Sequence, residues 1–444
     1  GGYSVVASHP TGTATSRVAR LELNIVQPSI FGNIRALPDG SVSILLDGNP
    51  SGRLRKFFEL YPIEDSSDLR EWTPLATVLR TNISAGPATY LDPEAGKRPQ
   101  RFYRTPTNHF VTPFLIPTGP YGVGTVSRLL TDLSRSNRYN IATNSSFMIT
   151  LWYPARLRAG EAPASLVEPP LARDATTWRN YGFTSLERVM PDLVGHARLN
   201  AELARTDPVS PVVIASPGYT DVRADYAAKM ELLASHGYIG VAIDHAHAYA
   251  TVFPDGRMLK SGANSGQLNS YFPSDIRDVQ FVLEELTRMN EEDPVFRRSM
   301  DLERVATMGG SFGGGVAGEI ARIDPRVKAS VHLDAYYQAA TTLLQTGMGK
   351  PLLYTYSTQA GGLLTLYNRA TQDAYSLQIA NTRHGDFGDN GAWIDKGGEA
   401  GQRIGLALNA CMLSFLNKHL KGQDDRLLDN PAAKYPEIVR FQKK

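Results

Sequence analysis

From about residue 107 to the C-terminus, short apolar runs alternate with longer segments in which apolar residues recur every three or four positions. Runs at 212–215, 240–243, 305–308, 330–333 and 352–356 are brief and mostly apolar, the pattern of parallel strands buried on both faces. A further strand is expected at 147–153. Between these runs, residues 275–289 place Ile276, Val279, Val282, Leu283 and Leu286 on one helical face, with Asp275 near the dipole-favoured start. A second helix is expected at about 224–235, stopping before Gly237. Strand and helix alternating in this way predict an α/β fold with a mostly parallel central sheet over 107–444, entered through a linker marked by Pro113, Pro117 and Pro120.

Residues 1–106 read differently. Runs at 2–8 and 18–23 flank the turn-rich His9-Pro10-Thr11-Gly12-Thr13 and predict a β-hairpin. The spacing of Gly1, Tyr3, Val5 and Ala7 resembles the last two strands of an immunoglobulin-like module, with Tyr3 at the tyrosine corner. Two strands cannot stand alone, so residues 1–26 are expected to be a hairpin remnant of a longer array, or an N-terminal hairpin docked on the next domain. In 27–106, strand-like runs at 41–46, 57–61, 75–79 and 101–104 are separated by turn residues and predict a small β-sandwich. Segments 68–75 and 99–104 resemble a fibronectin-like module appended to secreted bacterial enzymes. That resemblance implies a secreted or cell-surface protein. Trp72 and Tyr103 are either core residues of this module or a grip for a polymeric substrate.

Composition narrows the function. Net charge is +2, which argues against a nucleic-acid surface. No apolar run approaches the roughly 20 residues that span a bilayer. Cys411 is the one cysteine, so no internal disulfide framework exists. The start, Gly-Gly-Tyr without an apolar leader, reads as a processed product or an excised piece.

The candidate chemistry centres on Gly309-Gly310-Ser311-Phe312-Gly313, between a strand-like run and a small-residue segment suited to open a helix. A serine at the apex of so sharp a turn needs glycine two positions to either side, here Gly309 and Gly313, or strand and helix collide. A serine hydroxyl is a weak nucleophile at neutral pH and requires a base, a group that orients the base, and donors for a developing oxyanion. Of nine histidines, His384 lies in a polar, glycine-containing loop late in the chain, where the order Ser, acid, His places the base. His236, His332 and His419 read as structural. His245 and His247, beside Asp244, raise the question of a metal, but no third ligand stands at a recognisable spacing; no metal or cofactor is expected. Asp334, directly after the run 330–333, is the best acid, with Asp386 and Asp389 as rivals. The oxyanion donors expected are the backbone N–H of Phe312 and that of Tyr219, since Pro217 has none.

Residues from about 118 to 420 resemble the platelet-activating-factor acetylhydrolase family of α/β-hydrolases. The matching pieces, in order, are 119–124 (GPYGVG), 151–155 (LWYPA), 233–238 (LASHGY), 242–245 (AIDH), 251–256 (TVFPDG), 310–314 (GSFGG) and 333–335 (LDA). The resemblance implies an α/β-hydrolase fold and a metal-independent carboxylic-ester hydrolase with Ser311 as nucleophile, Asp334 as acid, His384 as base, and Tyr219 and Phe312 lining the oxyanion hole. The family's oxyanion loop usually begins Ser-His-Gly. Here it reads Ser216-Pro217-Gly218-Tyr219-Thr220 and looks like that of cutinases and polyester hydrolases. That departure leaves the substrate less fixed than the reaction; short-chain or aryl esters are expected, with polyesters or phospholipids as alternatives. A non-catalytic polymer-binding or adhesive protein is the alternative of another class.

Overall fold

The computed structural model describes residues 6–9, 12–15, 31–46, 58–80, 88–97, 100–104, 110–112, 114–136, 144–158, 161–174, 176, 193–261, 265–358, 364–389 and 398–444. The chain divides into two units, Gly1–Val111 and Thr112–Lys444.

The first unit is a small antiparallel β region. Val6–His9 pairs antiparallel with Gly12–Thr15. The second arm of this hairpin thus begins earlier than the run 18–23, which, with Tyr3, lies outside the described residues. Val42–Leu46 forms the centre of a three-stranded sheet between Phe31–Ala36 and Ala88–Asp92. Phe58–Ser66 is flanked by Thr73–Arg80 and Phe102–Arg104. Ile44, Leu46 and Ile63 meet in one core, with Tyr103 packed against it. The Tyr103 hydroxyl donates to Asp92 at 2.8 Å, and Arg101 bridges Asp65 and Asp92 in a buried network. Tyr103 therefore serves the interior, whereas Trp72 is half-buried under the Arg104 guanidinium.

The second unit is an α/β fold. Its sheet has twelve strands among the described residues: β1 Gly122–Ser136, β2 Asn144–Arg156, β3 Pro163–Ser165, β4 Val194–Leu199, β5 Glu202–Leu203, β6 Ser210–Ser216, β7 Ile239–Ile243, β8 Met300–Gly310, β9 Val327–Leu333, β10 Leu352–Ser357, β11 Ala374–Ile379 and β12 Ile438–Lys443. The order is β3-β4-β1-β2-β7-β6-β8-β9-β10-β11-β12, with β5 beside β2. Strands β7, β6, β8, β9, β10 and β11 run parallel.

Val212, Ile214, Ile239, Val241 and Ile243 join an apolar cluster with helices α2 (Leu268–Glu292) and α3 (Ser311–Ile323). Val213, Ala215 and Ala242, on the alternate positions, are equally buried outside that cluster. Both faces are thus covered, which explains why these strands carry no polar alternation. Helices α1 (Ala227–Ser235) and α4 (Gly398–Lys421) contact each other. No helix among the described residues is long and apolar enough to cross a membrane.

The sheet is larger than the apolar runs suggest. β1, β11 and β12 carry Ser, Thr, Gln, Arg or Lys between their apolar residues, which obscures their strand character. The helix expected at 275–289 begins at Leu268, with Pro273 inside it. Asp275 is consequently a buried interior residue of α2, not a residue at its start.

Candidate active site

Strand β8 ends at Gly310 and α3 begins at Ser311, with nothing between them. Turning the chain in one step puts Ser311 at φ +50°, a left-handed conformation that non-glycine residues rarely hold. The neighbouring glycines answer to sterics. A Cβ on Gly309 would overlap the Gly313 carbonyl, and one on Gly313 would overlap the carbonyl oxygens of Ser216 and Pro217.

One strand over, Asp334 follows β9 directly and is itself left-handed, at φ +47°. Its N–H donates to the Thr355 carbonyl at 2.7 Å, and its Oδ1 accepts the Ser357 N–H at 3.0 Å. Its Oδ2 lies 2.7 Å from His384 Nδ1. Two residues on, the Tyr336 N–H donates to the Ser311 carbonyl at 2.7 Å, tying the acid's loop to the elbow. The Tyr336 ring stands edge-on to His384, with centroids 6.1 Å apart, and is 45% exposed.

His384 opens a short 3-10 turn, His384–Phe387. Asp386 accepts the Arg383 N–H at 2.8 Å and so closes its own loop. Asp389 accepts the Ala228 N–H at the start of α1 and forms a fully buried ion pair with Lys229 at 2.6 Å. Both rival carboxylates therefore hold the loop, and Asp334 is the one bonded to the imidazole. That bond, reinforced by the Asp334 charge and by Asp221, raises the His384 pKa above its ordinary value despite partial burial. With Nδ1 committed to Asp334, Nε2 is the nitrogen left to exchange a proton.

The loop between β6 and α1 has an ordered set of amides. Gly218 N–H donates to Asp221 Oδ2 at 3.1 Å, Thr220 N–H to His247 Nδ1 at 3.4 Å, and Asp221 N–H to the Gly218 carbonyl at 3.1 Å. Between them, Tyr219 N–H meets no acceptor among the described residues. Phe312 is the second residue of α3, where helical N–H groups have no partner within the helix. A Cβ on Gly218 would come within 3.1 Å of Ser311 Cβ, so this loop and the elbow are in contact.

Other histidines have other work. His332 is buried between Ser330 and the Tyr337 hydroxyl, and burial pushes its pKa down to about 3. His236 bonds Thr118 through its ring. His419 is partly buried beside Phe415 and Tyr375, 3.8 Å from Asp373.

His245 and His247 have partners that the sequence spacing did not reveal, because α2 supplies them. His245 Nδ1 lies 2.9 Å from Asp278, and His247 Nε2 lies 2.8 Å from Asp275. His245, Asp275 and Asp278 bring one ligand-type atom each within 4.8 Å of one another. Within this group His245 Nδ1 and Asp278 Oδ2 are hydrogen-bonded, while buried Asp275 Oδ1, 3.7 Å from His245 Nδ1, has no hydrogen-bond partner among the described residues. Asp221 and the carboxylates of Asp275 and Asp278 are the site residues that sequence reasoning missed, while Asp389, expected as a rival acid, is paired with Lys229 instead. The signal for Asp275 and Asp278 was present: two carboxylates three apart on the apolar face of one predicted helix.

No family model matches the chain. An Arthroderma benhamiae protein named a probable 1-alkyl-2-acetylglycerophosphocholine esterase is 27% identical over 52% of this chain. That match spans 65% of the fungal protein's length, slightly under two thirds. The platelet-activating factor acetylhydrolase of Cavia porcellus is 23% identical over 68% of this chain and 77% of its own. A ferulic acid esterase from Streptomyces cinnamoneus superposes with a TM-score of 0.60 at 27% identity, covering 74% of this chain and 97% of the esterase. The order of its strands, the elbow between β8 and α3, and these likenesses give the chain an α/β-hydrolase fold similar to that of platelet-activating-factor acetylhydrolase-like esterases.

Proposed function

We propose that this protein is a serine carboxylic-ester hydrolase. The observation that carries the reading is the 2.7 Å bond between His384 Nδ1 and Asp334 Oδ2, one strand from an elbow serine held at φ +50°. His384 Nε2 takes the Ser311 proton as Oγ attacks the ester carbonyl, and Asp334 stabilises the imidazolium. The Tyr219 and Phe312 N–H groups meet the oxyanion. On collapse of the tetrahedral intermediate the ester C–O bond breaks, and His384 returns the proton to the leaving alcohol. Water, deprotonated by the same imidazole, then releases the acid from Ser311.

Short-chain or aryl esters fit the site best, since the half-exposed Tyr336 ring beside His384 offers a flat apolar wall to an aromatic group. Polyesters and phospholipids remain the other ester classes for which the family likeness gives reason. Secretion or display at a bacterial cell surface belongs to the same proposal and rests on the resemblance of the N-terminal region to modules of exported enzymes. Ser311→Ala is expected to abolish hydrolysis of p-nitrophenyl acetate and labelling by a fluorophosphonate. Undiminished hydrolysis by that variant would sink the proposal, and a panel of acetyl, feruloyl, phospholipid and polyester substrates ranks the classes.

A further inference from the structure

Two buried histidines outside the proposed triad stand at the two ends of the loop that carries Tyr219. We infer that His245 and His247 are positioning residues for the oxyanion donor, and that His247 sets its direction. The inference rests on the esterase reading above.

After β7, residues 244–249 come back against residues 216–220. Ser216 Oγ, at the start of the oxyanion loop, lies 2.9 Å from His245 Nε2. Toward its end, Thr220 N–H donates to His247 Nδ1 at 3.4 Å, while the Thr220 carbonyl accepts the Tyr249 N–H at 2.9 Å. Acceptance at Nδ1 fixes His247 as the neutral tautomer with its proton on Nε2, and that N–H meets Asp275 Oδ2. His245 Nδ1 donates to Asp278 Oδ2, whose other oxygen is held by Arg135 at 2.6 Å. All four His and Asp residues are buried, where such bonds are strong and their loss expensive.

The ring of His247 also lies 5.6 Å from that of Tyr219 and 5.7 Å from that of Phe312, so it packs against both residues that supply the oxyanion amides. Thr220 is held at φ +69°. Without His247 that strained residue relaxes and the Tyr219–Thr220 peptide turns, shifting the Tyr219 backbone whose N–H faces the oxyanion. The amide is needed when negative charge develops, not when the ester docks. Loss of His247 should therefore appear in kcat and not in KM.

The test uses the full chain, with Ser311→Ala as the control for the reading beneath it. His247→Gln keeps a donor toward Asp275 but has no acceptor at the Nδ1 position; His247→Asn keeps an acceptor there and loses the reach to Asp275. On p-nitrophenyl acetate, His247→Gln is expected to lower kcat by about 10- to 100-fold with KM within about threefold, and His247→Asn to recover about fivefold or more of that loss. Phosphonylation of Ser311 should slow in parallel. Ser216→Ala, a smaller change at the other end of the loop, should lower kcat by about three- to tenfold. Activity surviving in Ser311→Ala removes the esterase reading and this inference with it. If Ser311→Ala is dead, wild-type kcat in folded His247→Gln and Ser216→Ala, or equal losses in the Gln and Asn variants, overturns this inference alone.

Discussion

His384 Nδ1 and Asp334 Oδ2 lie 2.7 Å apart, and the other oxygen of the same carboxylate is anchored by the Ser357 N–H. The carboxylate is thereby aimed before the histidine arrives. Asp334→Asn keeps the bond from Ser357 but offers the imidazole a donor where it needs an acceptor, so the ring adopts the wrong tautomer. Turnover of p-nitrophenyl acetate should fall by about 10⁴-fold with little change in unfolding temperature. A loss below about tenfold would show that Asp334 does not orient the base.

The pH dependence follows from the same pair and from a second carboxylate, Asp221. In the proposed mechanism His384 must be neutral to accept the serine proton, so kcat/KM should rise with pH through a midpoint above the ordinary imidazole value, because Asp334 and Asp221 stabilise its charged form. Asp221→Asn keeps an acceptor for the Gly218 N–H but removes one of those charges. The acid limb of the kcat/KM profile should therefore move to lower pH. A limb that stays in place, measured from pH 5 to 9, would remove Asp221 from the electrostatics of the base.

The parts of this site that are legible in the sequence are those fixed by local sterics. An apical serine at φ +50° dictates Gly309 and Gly313, and an acid at a strand end needs only the strand to be recognised. The loop histidine follows from chain order. What stays hidden depends on chance meetings across the fold: Asp389 reaches Lys229 across 160 positions, and the partners of His245 and His247 lie 33 and 28 residues on. Asp275 was misread for a physical reason. The helix extends past Pro273 to Leu268, so the residue expected to stabilise its first turn is instead a buried partner of His247.

The Lys229–Asp389 pair holds the His384 loop to α1 with both side chains buried. Lys229→Met leaves the carboxylate buried and uncompensated, which should destabilise the protein by about 3–5 kcal/mol. Burial already raises the Asp389 pKa. Without the ammonium that pKa rises further above its unfolded value, so the variant should be least impaired at acid pH and lose stability as pH increases toward the new value. Lys229→Met combined with Asp389→Asn, which keeps an acceptor for Ala228, should regain most of the loss in urea unfolding. A double variant no more stable than the single one would show that the lysine acts through packing and not through charge.

Gly313 tests whether the elbow's close approach sets the catalytic geometry. It sits in the first turn of α3, where a Cβ would overlap the Ser216 and Pro217 carbonyl oxygens, so Gly313→Ala must push the helix away from the oxyanion loop. A displacement of about 1 Å between nucleophile and donors is enough to cost roughly 100-fold in rate. Gly385 provides the contrast. It is adjacent to His384, yet a Cβ there meets nothing within 4 Å. Gly385→Ala should leave kcat/KM within about twofold of the parent, while Gly313→Ala falls by about 100-fold or fails to fold. Equal activities in the two variants would mean that the contact between the elbow helix and residues 216–217 does not hold the reacting groups in place.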